Sequence, residues 1–286
     1  MQNKLWKPFA LLTPALSAVF FLLVIPIGFI VVYSFWLRSP TGADIAAFQF
    51  GNYAKFFADS FYPFILLRTI RVSLETVLLC LVMGYIPAYF LSHSKTKNKG
   101  LLMLLIMLPF WISFIIRTMS WINILGDTGL INHLLIKVHL LSRPLGMLYN
   151  EASVLMGLLQ YLLPFMILNI YVSLEGIDKS LLDAARSMGC TEWQAFKEVT
   201  LPLSLPGLSA GCLLVFVLTA GTYLPPMILG GPGNQMIANL IFARVIGTLD
   251  WPFGSAISVV LLTLLVIIVW TYNRYLGIAQ IFKVLQ

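Results

Sequence analysis

Long apolar runs separated by short polar segments dominate this chain. The hydrocarbon core of a bilayer is about 30 Å thick, so a helix needs roughly 20 mostly apolar residues to cross it. The runs predict six membrane-spanning helices, at about 8–37, 70–91, 100–126, 152–174, 205–229 and 251–273. The first run carries no charge and is longer than the apolar region of a signal peptide, so we interpret it as a retained span.

The distribution of lysine and arginine predicts the orientation of these spans, because basic residues accumulate in cytoplasmic loops. With the amino terminus inside, the predicted inner segments hold ten basic residues in 58 positions, against seven in 90 for the outer stretches 38–69, 117–151 and 230–252. The densest stretch is 92–99, which has three lysines. Six spans then return the carboxyl terminus to the cytoplasm.

The amino-acid composition also indicates a membrane protein. The chain is 59% hydrophobic and 10% charged with a mean hydropathy of +0.92, whereas soluble domains are about 25% charged. The net charge of +7 lies scattered between apolar runs, which favours topology signals and anionic lipid over nucleic acid. The predicted fold class is an all-α polytopic membrane protein, with 1–286 as a single transmembrane domain.

The loop 175–204 between spans four and five holds five of the eleven acidic residues. Its first half predicts a short helix, Leu181 to Met188, with Ser180 as N-cap and Asp183 in the third helical position. Gly189 suits the left-handed conformation that often follows a helix end.

The second half of this loop predicts another short helix. Thr191 and Gln194 have the spacing of a capping box, in which each side chain bonds the other's backbone. Leu201-Pro202 is expected to end the helix, because the residue before a proline disfavours helical geometry. The apolar side chains of the two helices either fill a socket on a partner or pack back on the spans: Leu181, Met188, Trp193 and Phe196.

The spacing within this loop resembles the signature of permease subunits of ABC importers. Asp183-Ala184-Ala185 is followed three residues later by Gly189, then after nine residues by Val199, and after one more by Leu201-Pro202. Only Asp183 for glutamate and Val199 for isoleucine depart from that pattern. The resemblance implies a coupling helix that docks on a cytoplasmic ATPase, with these ATPase-coupling residues: Asp183, Ala184, Ala185, Met188, Gly189 and Pro202.

The same resemblance implies which partners the chain has. They are a second, different permease chain, two ATPase copies that hold ATP and magnesium, and an extracytoplasmic solute-binding protein. No lysine here follows a glycine, so the chain has no phosphate-binding loop of its own. We find no catalytic, cofactor-binding or metal-ligating pattern, and we expect a transport subunit rather than an enzyme.

Further blocks are similar to the spermidine/putrescine-type (PotB/PotH-like) permeases of the bacterial inner membrane. They include Leu108-Pro109-Phe110-Trp111, Tyr161 to Met166, Leu229-Gly230-Gly231-Pro232 and Asp250 to Gly254. The resemblance implies a polyamine as the solute. One position departs, since Met227 stands where polyamine members often carry an acid. An amino-acid derivative, an opine or a phosphonate is therefore an open alternative.

Five residues are candidates for the solute path: Glu75, Trp111, Arg117, Tyr223 and Met227. Glu75 is the only acid inside a predicted span, and charged groups in the membrane tend to face a cavity. Arg71 precedes it by four residues, so a structural ion pair is equally open. The aromatic residues suit cation–π contacts, although tryptophan and tyrosine also anchor helices at membrane interfaces. A different class of protein, a stand-alone secondary transporter or channel, also fits spans that are broken by proline.

Overall fold

The computed structural model describes residues 13–14, 16–94 and 96–276 and is mostly helical. The helices are α1 (Leu16–Tyr33), α2 (Gly51–Ala58), α3 (Phe61–His93), α4 (Lys99–Met107), α5 (Phe114–Leu125), α6 (Leu130–Lys137), α7 (Glu151–Glu175), α8 (Lys179–Ser187), α9 (Glu192–Gly221), α10 (Leu224–Leu229), α11 (Ile237–Gly247) and α12 (Trp251–Leu276). Short 3₁₀ turns follow α4, at Leu108–Trp111, and α10, at Pro232–Asn234.

A small hairpin departs from the predicted all-α class. Strands β1 (Leu37–Arg38) and β2 (Asp44–Ile45) pair antiparallel, with Leu37 opposite Ile45. Gly42 turns the chain between them at φ +87°, a backbone conformation that glycine adopts without a steric penalty.

Within the described residues, four helices are long and apolar enough to cross a membrane: α1, α7, α9 and α12. A bent pair, Lys99–Trp111 with Phe114–Lys137, makes up to five. The predicted spans 152–174 and 251–273 lie within α7 and α12. The predicted span 70–91 lies inside the longer α3. The predicted span 8–37 is too long at its end, since α1 stops at Tyr33; residues 8–12 and 15 lie outside the described part.

The prediction of a continuous helix over 100–126 is wrong, because the chain bends by 88° between the two halves of the pair. Pro109 has no N–H to donate, and Ile112 and Ser113 adopt extended backbone angles. The Pro109 carbonyl at the break accepts two hydrogen bonds, one from the Ile112 N–H at 3.2 Å and one from Arg117 Nη1 at 2.6 Å.

The prediction that Leu201-Pro202 ends a short helix is also wrong. The helix that begins at Glu192 runs without a break to Gly221, and a π-helical turn at Phe196–Thr200 precedes the proline. In that turn Leu201 N–H bonds the carbonyl of Phe196, five residues back. The wider turn changes the bonding pattern just where the proline lacks a donor. The predicted span 205–229 therefore starts too late, and it misses the break after Gly221.

The described residues form two compact units, and one of them comprises those up to 64 together with 240–264. Its centre is aromatic: the rings of Tyr62 and Phe253 meet edge to face, 5.1 Å apart. Arg244 Nη2 donates to the Tyr62 hydroxyl at 2.8 Å, and its guanidinium lies over the Phe253 ring. Both ring–ring and cation–ring contacts add to the free energy of apolar burial.

The second unit comprises 65–239 and 265–276. Its core lies where α3, α7 and α9 pack together. The buried side chains of this core are Cys80, Ala88, Leu162, Met166, Ile167, Ile170, Leu174 and Val215.

Two glycines let α7 and α9 approach closely. A Cβ added at Gly207 would lie 2.3 Å from Ser173 Cβ and 2.4 Å from the Asn169 carbonyl oxygen. One added at Gly211, four residues on, would lie 2.9 Å from Met166 Sδ. This small-xxx-small spacing is a typical device for packing helices in membranes, where small residues bring backbones into contact.

We predict that Gly207→Val lowers the thermal stability of the purified protein, because valine would force α7 and α9 apart. Overpacking of this kind costs about 1–3 kcal/mol. Thermal unfolding in detergent measures the effect. Gly28→Val is the matched control, since no atom lies within 4 Å of its added Cβ. Equal midpoints for the two variants would contradict the close-packing account.

Candidate coupling elbow and solute path

The first short helix of the loop, α8, starts two residues earlier than predicted. Asp178 is its N-cap, and Asp178 Oδ1 accepts the Ser180 N–H at 2.9 Å. The prediction of Ser180 as the cap is therefore wrong. An aspartate at this position satisfies an end N–H and also carries a charge that suits the helix dipole, which favours it over serine.

Gly189 ends α8 as predicted, in the left-handed conformation at φ +91°. The Cys190 N–H bonds the Ala185 carbonyl at 3.1 Å, and the Gly189 N–H bonds the Arg186 carbonyl at 2.9 Å. This pair of bonds is the Schellman motif, which closes a helix end and reverses the chain. Side chains other than glycine are strained at such a φ.

The start of α9 is fixed as predicted. Thr191 Oγ1 accepts the Gln194 N–H at 3.3 Å, and Gln194 Oε1 accepts the Thr191 N–H at 2.8 Å, which completes a capping box. Arg186 bridges the two helices through paired bonds to Glu192, of 2.8 and 3.0 Å, and it also bonds Asp183 at 3.2 Å. The turn between the helices is thus held at both caps and by a guanidinium clamp. We call α8, this turn and the first part of α9, residues 178–200, the elbow.

Charge raises the strength of these polar contacts. The Ser180 N–H lowers the pKa of the Asp178 carboxyl below its ordinary value. The hydrogen bond from Arg186 lowers the pKa of Glu192, and Glu192 in turn raises the pKa of Arg186. All three groups are fully ionised at neutral pH, when the clamp is strongest.

The apolar side chains of the elbow divide into two sets. Met188 and Trp193 are 79% and 70% exposed, and Leu181 is also exposed. Phe196 instead packs back on the end of α3, with its ring edge to face against Tyr85 and Tyr89. The small residues Ala185 and Ala195 are buried between the elements. The elbow therefore exposes the apolar side chains of Met188, Trp193 and Leu181 at its tip, and Phe196 packs the opposite end against α3.

Five of the six predicted coupling residues lie in this elbow, and Pro202 lies just after it. Asp183 and Ala184 are exposed on α8, Ala185 faces inward, and Pro202 is half-buried just beyond the π turn. A cavity of about 320 Å³ separates the base of α8 from the end of α3; its lining includes His93, Glu175, Lys179 and Thr200.

The predicted path residues lie on several elements of the second unit. Trp111 is 88% exposed at the break after α4, and Met227 is half-exposed on α10. Arg117 is 94% buried by Phe110 and Phe114 and bonds the Pro109 carbonyl, which gives it a structural contact. The Tyr223 carbonyl accepts a bond from Asn239 at 2.8 Å.

Glu75 lies one turn from Arg71, with 3.8 Å between its Oε1 and Arg71 Nε, and its side chain is 37% exposed. Arg71 also contacts Glu151 at the start of α7. Arg68, on the same face of α3, reaches Glu151 Oε2 at 3.3 Å and Asn234 Oδ1 at 2.5 Å. Sequence reasoning missed Glu151 and Arg68, because these contacts join residues more than 80 positions apart. Only the i, i+3 spacing of the two arginines hinted at them.

The family pattern described as "Binding-protein-dependent transport system inner membrane component" matches residues 80–276. The chain belongs to this family. It is 35% identical over 247 residues, 85% of its length and 86% of the relative's, to the spermidine/putrescine transport system permease protein PotB of Salmonella typhimurium (strain SL1344). It is equally identical to PotB of Haemophilus influenzae, over 90% of both chains.

A solved structure has the same fold. It is the bacterial alginate ABC transporter in complex with an alginate pentasaccharide-bound periplasmic protein, with a TM-score of 0.75, 17% identity and 96% coverage of both chains. The chain is thus a permease subunit of a bacterial ABC importer, a transport component that crosses the inner membrane several times.

We predict that the elbow loosens in acid. The pKa of Glu192 is depressed in the folded chain, so its contribution to stability is present above the ordinary carboxyl pKa and is lost as the pH falls through the folded one. Amide hydrogen exchange across 186–194, corrected for intrinsic rates, should accelerate between about pH 5 and pH 3. Glu192→Gln should exchange faster at neutral pH and lose most of that pH dependence. A pH dependence unchanged in this variant would contradict the clamp.

Proposed function

We propose that the chain is one of two permease subunits of an ATP-driven importer for polyamines of the spermidine/putrescine type, with 1–286 as its transmembrane domain. The observation that carries the substrate class is 35% identity to PotB over 85–90% of the chain. The path motifs around Pro109, Pro164 and Gly230-Gly231 lie within that aligned region. The alternative of a stand-alone transporter has no use for a capped elbow of this kind.

The proposed topology has six spans with both termini in the cytoplasm. It counts α3 and the bent pair with the four apolar helices, since residues 76–91 of α3 carry no charge. Lys99 Nζ lies 3.3 Å from Glu175 Oε1. This ion pair joins the lysine-rich segment 92–99 to the loop 175–204, and it supports their placement on the same side of the membrane.

The elbow is proposed to be the coupling helix. Met188 and Trp193 would enter an apolar socket on the ATPase, and the small residues Ala184 and Gly189 would let the ATPase approach the elbow closely. Asp183 would present its exposed carboxylate to the same partner. Ala185 and Pro202 would instead seat the elbow on the spans. Exposed apolar side chains that lie side by side are typical of a surface that binds a partner. Apolar residues that are exposed singly are common on any protein and need no such explanation.

The proposed partners are a different second permease, two ATPase copies and an extracytoplasmic solute-binding protein. ATP and magnesium would bind to the ATPase copies, and this chain would hold no cofactor. ATP binding would close the ATPase pair, and the elbow would transmit that rigid-body movement and shift the population between inward- and outward-open states.

The solute path is proposed to include Glu75, Trp111, Tyr223 and Met227, with Arg117 supporting the bend beside it. Glu75 would neutralise an ammonium group, and the aromatic faces would contribute cation–π contacts.

Met227 favours a second candidate solute for the same importer. It replaces an acid with a neutral side chain at a half-exposed position, which would suit an amino-acid derivative, an opine or a phosphonate better than a polycation. Binding of spermidine, putrescine and such zwitterions or anions to the cognate solute-binding protein distinguishes the two. Binding of only the latter would overturn the polyamine assignment.

We predict that Gly189→Trp uncouples ATP hydrolysis from uptake in the assembled transporter while the protein still inserts. A bulky residue strains the left-handed position and blocks approach to the ATPase. Gly189→Asn is the control, since asparagine tolerates this conformation, and it should retain most of the coupling. Solute uptake per ATP hydrolysed is the measurement. Wild-type coupling in Gly189→Trp would contradict the assignment of the elbow as the coupling helix.

We predict that Glu75→Gln slows spermidine uptake by roughly tenfold, the effect of losing one charge-assisted bond. Uptake is measured in proteoliposomes that contain the whole importer. Asp127→Asn is the charge-matched control in an exposed loop. If Glu75→Gln leaves both transport and assembly unchanged, Glu75 does not line the path.

A further inference from the structure

Arg71 is shared unequally between two carboxylates. Its Nη2 is in hydrogen-bond contact with Glu151 Oε2, whereas its Nε is 3.8 Å from Glu75 Oε1. A charge-assisted N–H···O bond is about 2.7–2.9 Å long. Arg71 is therefore bonded to Glu151 and is only a neighbouring charge for Glu75. Within the described part of the chain, Glu75 accepts no hydrogen bond.

The local structure holds Glu151 in place. It is the first residue of α7, directly after Asn150, whose side chain accepts the Ser153 N–H at 2.9 Å in a capping box. A carboxylate in the first turn of a helix is also stabilised by the helix dipole. Glu151 is thus a preorganised acceptor rather than a freely rotating surface acid.

Arg68 does not compete fully for Glu151, because the loop after α10 occupies most of its guanidinium. Its Nη1 donates to the Gly233 carbonyl, and its Nη2 bonds Asn234 Oδ1 at 2.5 Å but Glu151 only at 3.3 Å. Asn234 in turn bonds the Gly230 carbonyl at 2.8 Å. Glu151 therefore keeps the capacity to accept a closer bond from Arg71.

We propose that Glu151 is a positioning residue that holds Arg71 away from Glu75, so that the Glu75 carboxylate can bind an ammonium group of the solute. The inference rests on the proposed function, in which the solute is a polyamine and Glu75 lies on its path. Without Glu151, the half-exposed guanidinium of Arg71 has Glu75 as its remaining carboxylate neighbour, four residues along the same helix. A bidentate pair there would neutralise Glu75 and place a positive charge where the cation binds.

The test is spermidine uptake by the whole importer in proteoliposomes, at saturating concentrations of its loaded binding protein. Glu151→Gln should slow uptake roughly tenfold, as Glu75→Gln does, because the released Arg71 would pair with Glu75 and so remove the charge-assisted bond from Glu75 to the cation. Arg71→Gln alone should leave the rate near that of the wild type. The double variant Glu151→Gln with Arg71→Gln should recover most of the rate, whereas Arg71→Gln should not rescue Glu75→Gln.

Removing Arg71 also removes the unpaired charge that Glu151→Gln leaves, so assembly and thermal unfolding of every variant are measured beside uptake. Slow uptake by a Glu151→Gln variant that assembles and unfolds like the wild type separates positioning from a purely structural role. Glu151→Asp keeps the charge and the helix start, so it serves if the glutamine variant does not assemble. Its shorter side chain should slow uptake less, and Arg71→Gln should relieve that loss. A double variant that stays as slow as its Glu151 parent, or a Glu151→Gln variant at the wild-type rate, overturns this inference alone. Wild-type uptake by Glu75→Gln overturns the proposed path as well.

Discussion

A backbone N–H or C=O without a partner inside a bilayer costs several kcal/mol, because no water can replace the missing bond. This chain places prolines within or beside most of its long helices, so the constraint acts repeatedly. At Pro109 the bent pair opens, and the Pro109 carbonyl accepts bonds from the Ile112 N–H and the Arg117 guanidinium. Before Pro202 a π turn changes the bonding pattern instead. Of these two prolines, Pro109 therefore lies at a bend and Pro202 lies within a continuous helix, because the backbone around each is hydrogen-bonded in a different way.

The elbow obeys the same rule at a helix end. Between α8 and α9 the chain must reverse while its terminal N–H and C=O groups stay bonded. Asp178, Gly189 and Thr191 each satisfy part of this need by a different route: an N-cap, a Schellman motif and a capping box. The bonds leave little freedom in the turn, so the exposed Met188 and Trp193 are held at one place on the surface. The proposed coupling role would require that rigidity, since a loose tip would absorb movement rather than transmit it.

Features that depend on near neighbours could be predicted from the sequence, and those that depend on distant contacts could not. The long apolar runs gave α7 and α12 to within one to three residues, and the Gly189 and Thr191 end signals were read correctly. Pro202 misled because the effect of a proline depends on the turn before it, which single-residue preferences do not describe. The partners of Glu151 lie on α3, and Arg68 among them also bonds the loop after α10. No pattern in the linear order specifies them.

The unbroken course of α9 has a mechanical consequence. At 1.5 Å per residue its 30 residues span about 45 Å, longer than the hydrocarbon core is thick. In the proposed coupling role the helix would act as a lever, with its longer arm on the side of the Thr191 cap and its shorter arm ending at the break after Gly221. Its contact with α7 at Gly207 and Gly211 lies between the two ends and can act as the fulcrum. A small tilt imposed at the elbow would then displace the far end, next to Tyr223, without any rearrangement of the backbone in between.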